Sequence, residues 1–317
     1  MPILGASEAT AGRLPERRLL PRPRSQSSSN ARVRPPSLVL LTSPARDDAY
    51  EYCERNAARC ALHAGWLHEG GLTGSSRVWP GLLLGLRGRE GGLGGLILLS
   101  ANGVAFPALD DVFVEVALDA LLATRPQLAS VMVGKRVTID RARSKLLARG
   151  FHEICSRRQT LYAATRRTFA PAEPLALKVA EASKLEAIAR ASGEMAIEEA
   201  DDDPEGRNPK LFRDRLLERL QRRRDFACFD GETLLYKANI AAMSPLGGHI
   251  EGIFVPRALR GRGLGKRGTS TLVSWILEVS SRATLLVNDH NVVARKLYES
   301  LGFEVVEESM TLYLVPP

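Results

Sequence analysis

The chain has 317 residues, enough to bury two hydrophobic cores of ordinary size. Hydrophobic residues make up 44% of it and aromatic residues 6%, a balance that excludes a largely unfolded chain and argues against a surface built to stack many bases. The formal net charge of +8 suits an anionic partner without requiring nucleic acid, and no apolar run approaches the ~20 residues of a membrane helix.

Residues 1–36 carry Arg13, Arg17, Arg18, Arg22, Arg24, Arg32 and Arg34 against only Glu8 and Glu16, among prolines and a polar run over 26–30. This composition predicts a basic tail without a packed core rather than a secretory signal, and with it a cytoplasmic protein. The tail motivates a nucleic-acid partner, but no ordered reader motif accompanies it, so that partner is not expected. A strand is predicted over 38–41 and a helix over 47–65. His63 and His68 are five apart and do not share one helix face, while Cys53, Cys60, Cys155 and Cys228 are scattered. Neither set has metal-ligand spacing, so no metal and no disulfide scaffold are expected. Apolar runs over 81–87 and 93–100 read as a strand pair, followed by a helix over 111–123, a strand over 130–134, a helix over 139–149 and a strand over 159–163. This alternation predicts a first α/β domain over 37–165 with a structural or substrate-shaping role. Pro171 and Pro174 mark a linker over 166–174.

A second domain is predicted over 175–317. Its opening strand, 175–179, precedes helices over 184–191 and 209–223. The acidic stretch between them, 194–205, reads either as a solvated face or as an entrance selective for cationic amines. Apolar runs over 226–229 and 234–242 flank Asp230-Gly231 as a hairpin. The strand over 249–255 then alternates, His249, Glu251, Ile253 and Val255 on one face, Ile250, Gly252 and Phe254 on the other.

The stretch 255–266 carries most of the functional signal. Gly261, Gly263 and Gly265 remove side chains that would keep a phosphate away from backbone N–H groups, and the helix predicted over 266–280 offers an open N-terminus with a favourable dipole. Arg260, Arg262 and Lys266 add positive charge. Lys266 is followed by Arg267-Gly268 rather than Ser or Thr, so this is not an ATP-binding loop, and no early dinucleotide-binding turn exists. Downstream, Asn291, Ala294 and Tyr298 fall on one helix face, and Leu301-Gly302-Phe303 turns into an alternating run over 305–314 that reads as a closing hairpin. Trp275 and Phe303 read as core.

Arg260-x-x-Gly263-x-Gly265, followed by Asn288, Asn291, Ala294, Tyr298 and Leu301-Gly302-Phe303, resembles the cofactor-binding and closing elements of the GCN5-related N-acetyltransferase superfamily. The upstream half is similar to the companion domain of certain bacterial two-domain members. The resemblance implies an α/β acyl-CoA N-acyltransferase fold, a mixed central sheet with helices on both faces, in two tandem copies. It implies acetyl-CoA as acyl donor and an amine as acceptor, whether small molecule, peptide N-terminus or protein lysine. Phe254, Val255, Arg260, Gly261, Arg262, Gly263, Leu264, Gly265, Lys266 and Asn291 become the expected donor-binding residues, with the Val255 amide polarising the thioester carbonyl. Glu251 is the expected base, as against a structural or substrate-orienting carboxylate, with His249 as alternative. Tyr298 is the expected acid to the departing sulfur, or else packs the donor. Asn291 is expected to hold the donor, to cap its helix, or both. Transfer of another acyl or aminoacyl group, and a non-catalytic CoA-binding regulatory protein, are the alternative functions. No oligomeric state follows.

Overall fold

Period-two and helical runs alternate along the chain, and they assemble as strands of one sheet with helices laid on both faces. The computed structural model describes residues 36–73, 81–88, 92–101, 103–124, 130–200 and 203–317; the basic tail expected over 1–36 lies outside them except for Pro36. In chain order the elements are β1 (Ser37–Leu40), α1 (Arg46–Arg55), α2 (Ala61–His68), β2 (Gly81–Arg87), β3 (Leu93–Ser100), β4 (Val104–Leu109), α3 (Val114–Thr124), β5 (Val131–Lys135), α4 (Arg136–Leu147) and β6 (His152–Thr165). After an extended connection come β7 (Lys178–Val179), α5 (Leu185–Ala200), α6 (Pro204–Arg207), α7 (Pro209–Gln221), β8 (Asp225–Asp230), β9 (Thr233–Ser244), β10 (Gly247–Phe254), α8 (Leu264–Val279), β11 (Arg282–Asn288), α9 (Val292–Glu299) and β12 (Glu304–Val315).

Three expectations change. The helix expected over 47–65 is two, because Asn56 turns its side-chain amide back onto the Tyr52 carbonyl (3.2 Å) and ends α1. The hairpin expected over 305–314 is the single strand β12, since that run contains no Gly, Pro, Asn or Asp to turn it. Strand β4 is additional; Pro107 disguises it, yet pairs opposite Ile97 within the ladder.

The strand order is β1-β2-β3-β4-β5-β12-β6-β11-β10-β9-β8-β7. Each half of the chain therefore completes the other's part of the sheet. β12 inserts beside β5 through Ser309–Lys135 to Tyr313–Val131, while β6 pairs with β11 through Arg282–Thr165 to Asn288–Gln159. The side chains follow: Met310, Leu312 and Leu314 of β12 complete the core under α3 and α4, and Tyr162 and Ala164 of β6 belong to the core under α8. Helix α2 lies against β9, where a Cβ on Gly65 would come within 2.6 Å of the Ala242 Cβ, so only glycine permits this approach. The described residues fall within one compact unit. Among the described residues no helix is long and apolar enough to cross a membrane.

Candidate active site

The site begins where two parallel strands part. β10 and β11 pair only through Gly248–Ala283, His249–Thr284 and Ile250–Leu285. Beyond Ile250 the register of β10 against β9 slips between Glu251 and Phe254, around Gly252 with φ of 62°. A side chain there would be strained by the left-handed backbone, and its Cβ would meet Asn239 Oδ1 at 2.5 Å.

This bulge overturns the simple alternation expected for 249–255. Ile250 faces the core under α8, but Phe254 packs with Ile188, Leu220 and Ala227 on the opposite face. Ile253 and Val255 pack toward the α8 core instead of sharing the face of His249 and Glu251. One extra residue in the strand reverses every side chain after it.

Lys237 of β9 braces the bulge. Its Nζ donates to the Gly252 carbonyl at 3.2 Å, and the side chain is buried beneath the sheet surface. Loss of hydration lowers its pKa to about 7, aided by Arg219 and opposed by Asp225 and Glu199. Sequence reasoning misses this residue, because a lysine within a strand reads as a solvent-facing position.

The segment after β10 makes a short 3-10 turn at Arg257–Leu259 and enters α8 through Gly263. Gly261 and Gly263 both have left-handed φ, 79° and 76°, and a Cβ on either would meet nothing within 4 Å. Their glycines are needed for backbone direction, not protein packing, and the space above the open helix end stays clear. Among the described residues no side chain caps α8; its first internal bond runs from Arg267 N to Gly263 O, so the N–H groups of Leu264, Gly265 and Lys266 have no helical partner. Arg262 is exposed and Lys266 half-buried at this end. Arg260 is held differently: its guanidinium bonds the Val255 carbonyl (3.0 Å) and Glu198 (2.6 Å), so it ties the loop to α5.

A cavity of about 770 Å³ runs from this loop past Phe254 and Val255 to Asn291 and Tyr298. A smaller one of about 70 Å³ sits in the gap between β10 and β11, lined by Glu251 and Gly252 and sharing Asn291 and Tyr298 with the larger. Asn291 caps α9, its Oδ1 accepting from Ala294 N at 3.1 Å. Tyr298 is buried against Tyr162 and Phe303, and burial raises its pKa, with Tyr236 and Glu199 contributing; its phenol stays protonated near neutrality. Its hydroxyl has no hydrogen bond among the described residues.

The acidic stretch expected as either solvated face or entrance divides between roles. Glu198 holds Arg260, whereas Glu199 lines both cavities and has its pKa raised by lost hydration, opposed by Lys237. Glu199 was hidden in the sequence among similar carboxylates; only the fold separates it.

His249 is buried on the other face of β10 from Ile250, and burial lowers its pKa, with Glu251 opposing. Its Nδ1 lies 2.9 Å from Thr284 Oγ1, which also lies 3.2 Å from the Gly248 carbonyl. Thr284 has one hydroxyl proton for these two acceptors, so Nδ1 donates when the hydroxyl bonds Gly248 and accepts when it bonds the ring. The His249 Nε2 lies 3.9 Å from Glu251 Oε1.

Residues 194–303, which contain the parted strands, the glycine loop and Tyr298, match the sequence model of the Acetyltransferase (GNAT) family. They form a GNAT domain. No curated protein sequence matches the chain. Among solved structures, a Drosophila protein is similar at 13% identity with a TM-score of 0.63, the match covering 89% of this chain and 99% of that one. A tandem GNAT protein from the clavulanic acid biosynthesis pathway is similar at 12% identity with a TM-score of 0.50, covering 88% of this chain and 98% of that one. These are likenesses of fold, and the one to the tandem GNAT protein spans both halves of the chain. The GNAT domain makes an acyltransferase using an acyl-CoA donor the coarse activity class.

Proposed function

We propose that this GNAT protein transfers an acetyl group from acetyl-CoA to a primary amine by direct attack. The observation that carries the reading is that the larger cavity, at the uncapped α8 end, and the smaller one, in the gap between β10 and β11, share Glu199, Asn291 and Tyr298 as walls. In this reading the pyrophosphate meets the N–H groups of Leu264, Gly265 and Lys266 along Gly261 and Gly263, with Arg262 and Lys266 supplying charge. Arg260 acts by fixing the loop. Phe254, Val255 and Asn291 flank the donor's arm, and a β10 amide near Val255 stabilises the carbonyl oxygen as negative charge develops on it.

The amine nitrogen attacks the thioester carbon, forming the C–N bond. The C–S bond then breaks, and the thiolate takes the Tyr298 phenolic proton, while the proton from the attacking nitrogen passes to Glu251 directly or through His249 Nε2. Burial keeps Tyr298 protonated and His249 neutral, the states these roles require. No cysteine lines either cavity, so the reading contains no acyl-enzyme step.

Calorimetric titration with acetyl-CoA tests the assignment. Wild type is expected to bind in the micromolar range and Gly263→Trp, folded but with its ring over the helix end, not to bind. Tyr298→Phe should keep donor binding and lose roughly 100-fold in kcat, the usual worth of a general acid. Full turnover without the hydroxyl would remove Tyr298 from the chemistry, and no binding by wild type would remove acetyl-CoA.

A further inference from the structure

A third recess lies between the two halves of the chain, apart from the donor cavity. It is roofed by the start of α2 and floored by β4, β5, β12, β11 and β10, and His63, Phe106, His249 and Glu307 are among its walls. Its volume is about 40 Å³, and at roughly 10–15 Å³ per water-sized group it holds only a few non-hydrogen atoms.

The polar atoms in its wall are unevenly matched. Arg59 and Glu307 satisfy each other, with Nη2 to Oε2 at 2.8 Å. His63 is only 2% exposed, and its Nε2 lies 2.8 Å from the Phe106 carbonyl. A carbonyl only accepts, so Nε2 carries the ring proton and Nδ1 is left as a lone-pair acceptor. Burial lowers the His63 pKa to about 4, against the Phe106 bond, and keeps the ring in this neutral form. Among the described residues that buried Nδ1 has no hydrogen-bond partner. A buried acceptor left unpaired is costly, and a ligand that brings a donor relieves the cost. His249 lines the same recess, and its Nε2 stands 3.9 Å from Glu251, which lines the gap between β10 and β11. The recess and that gap share Leu286 as a wall, and the His249–Glu251 pair reaches from one to the other.

We propose that this recess is an acceptor subsite in which His63, contributed by the N-terminal half, accepts a hydrogen bond from a second donor group on a small amine substrate. The substrate class is a linear diamine or amino alcohol. One nitrogen reaches the Glu251–His249 pair, and the far hydroxyl or amino group occupies the recess. The inference rests on the proposed amine acetylation, and it gives the N-terminal half a direct part in choosing the acceptor.

The test compares a short homologous series of amino alcohols and diamines with monoamines of the same chain length. Each is titrated calorimetrically into the full-length protein, with and without CoA. At the best length, the second donor should tighten binding about tenfold, the worth of one hydrogen bond in a dry recess. In His63→Phe the ratio between the paired ligands should fall to near one, and in His63→Gln, which keeps a donor for Phe106 and an acceptor for the ligand, it should largely return.

The chain has five histidines, so selective ¹⁵N labelling supplies a reading on wild type alone, independent of whether a variant folds. The amino alcohol, but not the monoamine, should shift the unprotonated Nδ1 resonance of His63. Equal affinity for paired ligands, or an unmoved resonance because the recess holds only water, overturns the proposal. Failure of CoA to bind would instead overturn the acetyltransferase reading, and the titrations without CoA still decide the subsite.

Discussion

Lys237 is where one residue couples the stability of the fold to the shape of the site. Its ammonium would be charged in the unfolded chain below about pH 10.5, whereas burial brings its pKa to about 7 in the folded protein. Between these values the unfolded chain binds more protons, so stability rises with pH across that window and this contribution is flat below it. A full shift corresponds to up to about 1.4 kcal/mol per pH unit. Lys237→Met should abolish this contribution, and subtracting its urea stability profile from that of wild type cancels the other titrating groups. A difference that is independent of pH between neutral and alkaline conditions would show that Lys237 is not buried as an amine. Residues of this kind were invisible in the sequence. Tyr298, Asn291 and the loop glycines are legible because their neighbours in the chain are also their neighbours in space. Lys237, Glu199 and His63 owe their environments to packing between distant segments, and no local pattern announces burial of a polar side chain.

At the level of the element, the bulge in β10 decides what the strand can do. The sequence shows the strand, its position before the glycine loop and the residue types it carries, but a period-two reading places Phe254 and Val255 on the wrong faces. The missing information is the left-handed turn at Gly252, which any strand glycine permits and few adopt. Gly252→Ala combines strain at φ of 62° with contact against Asn239, and should cost about 1–3 kcal/mol while realigning β10 with β11. Gly231→Ala is the matched control. Gly231 has φ of 55° in the β8–β9 hairpin, with nothing within 4 Å of an added Cβ, so it carries backbone strain without closing the gap. Both variants should melt lower by denaturant titration. Only Gly252→Ala should lose acetyl-CoA binding as well; equal retention of binding would mean the bulge is not what opens the site.

Across the whole molecule, the crossing of β6 and β12 ties the two halves into one folding problem. The sequence suggests two domains joined by a proline-bearing linker, and its local patterns cannot reveal that the last strand of each half lies in the other's part of the sheet. With β12 withdrawn, the core under α3 and α4 loses Met310, Leu312 and Leu314, and β5 and β6 lose a shared neighbour. Glu69 and Arg224 add an ion pair between α2's end and the segment before β8, a modest term beside the shared strands. Such coupling predicts coincident unfolding. Trp66 lies in the core under α1 and α2, while Trp275 packs against the core under α8. Proteins retaining either tryptophan alone, with the others replaced by Phe, should give the same midpoint as far-UV circular dichroism once each variant's own stability is used as the reference. If Trp275 reported a transition well separated from that of the backbone signal, the halves would unfold independently despite their exchanged strands. A coincident transition would mean that destabilising the N-terminal half also dismantles the cleft between β10 and β11, because the sheet carries both through the same two strands.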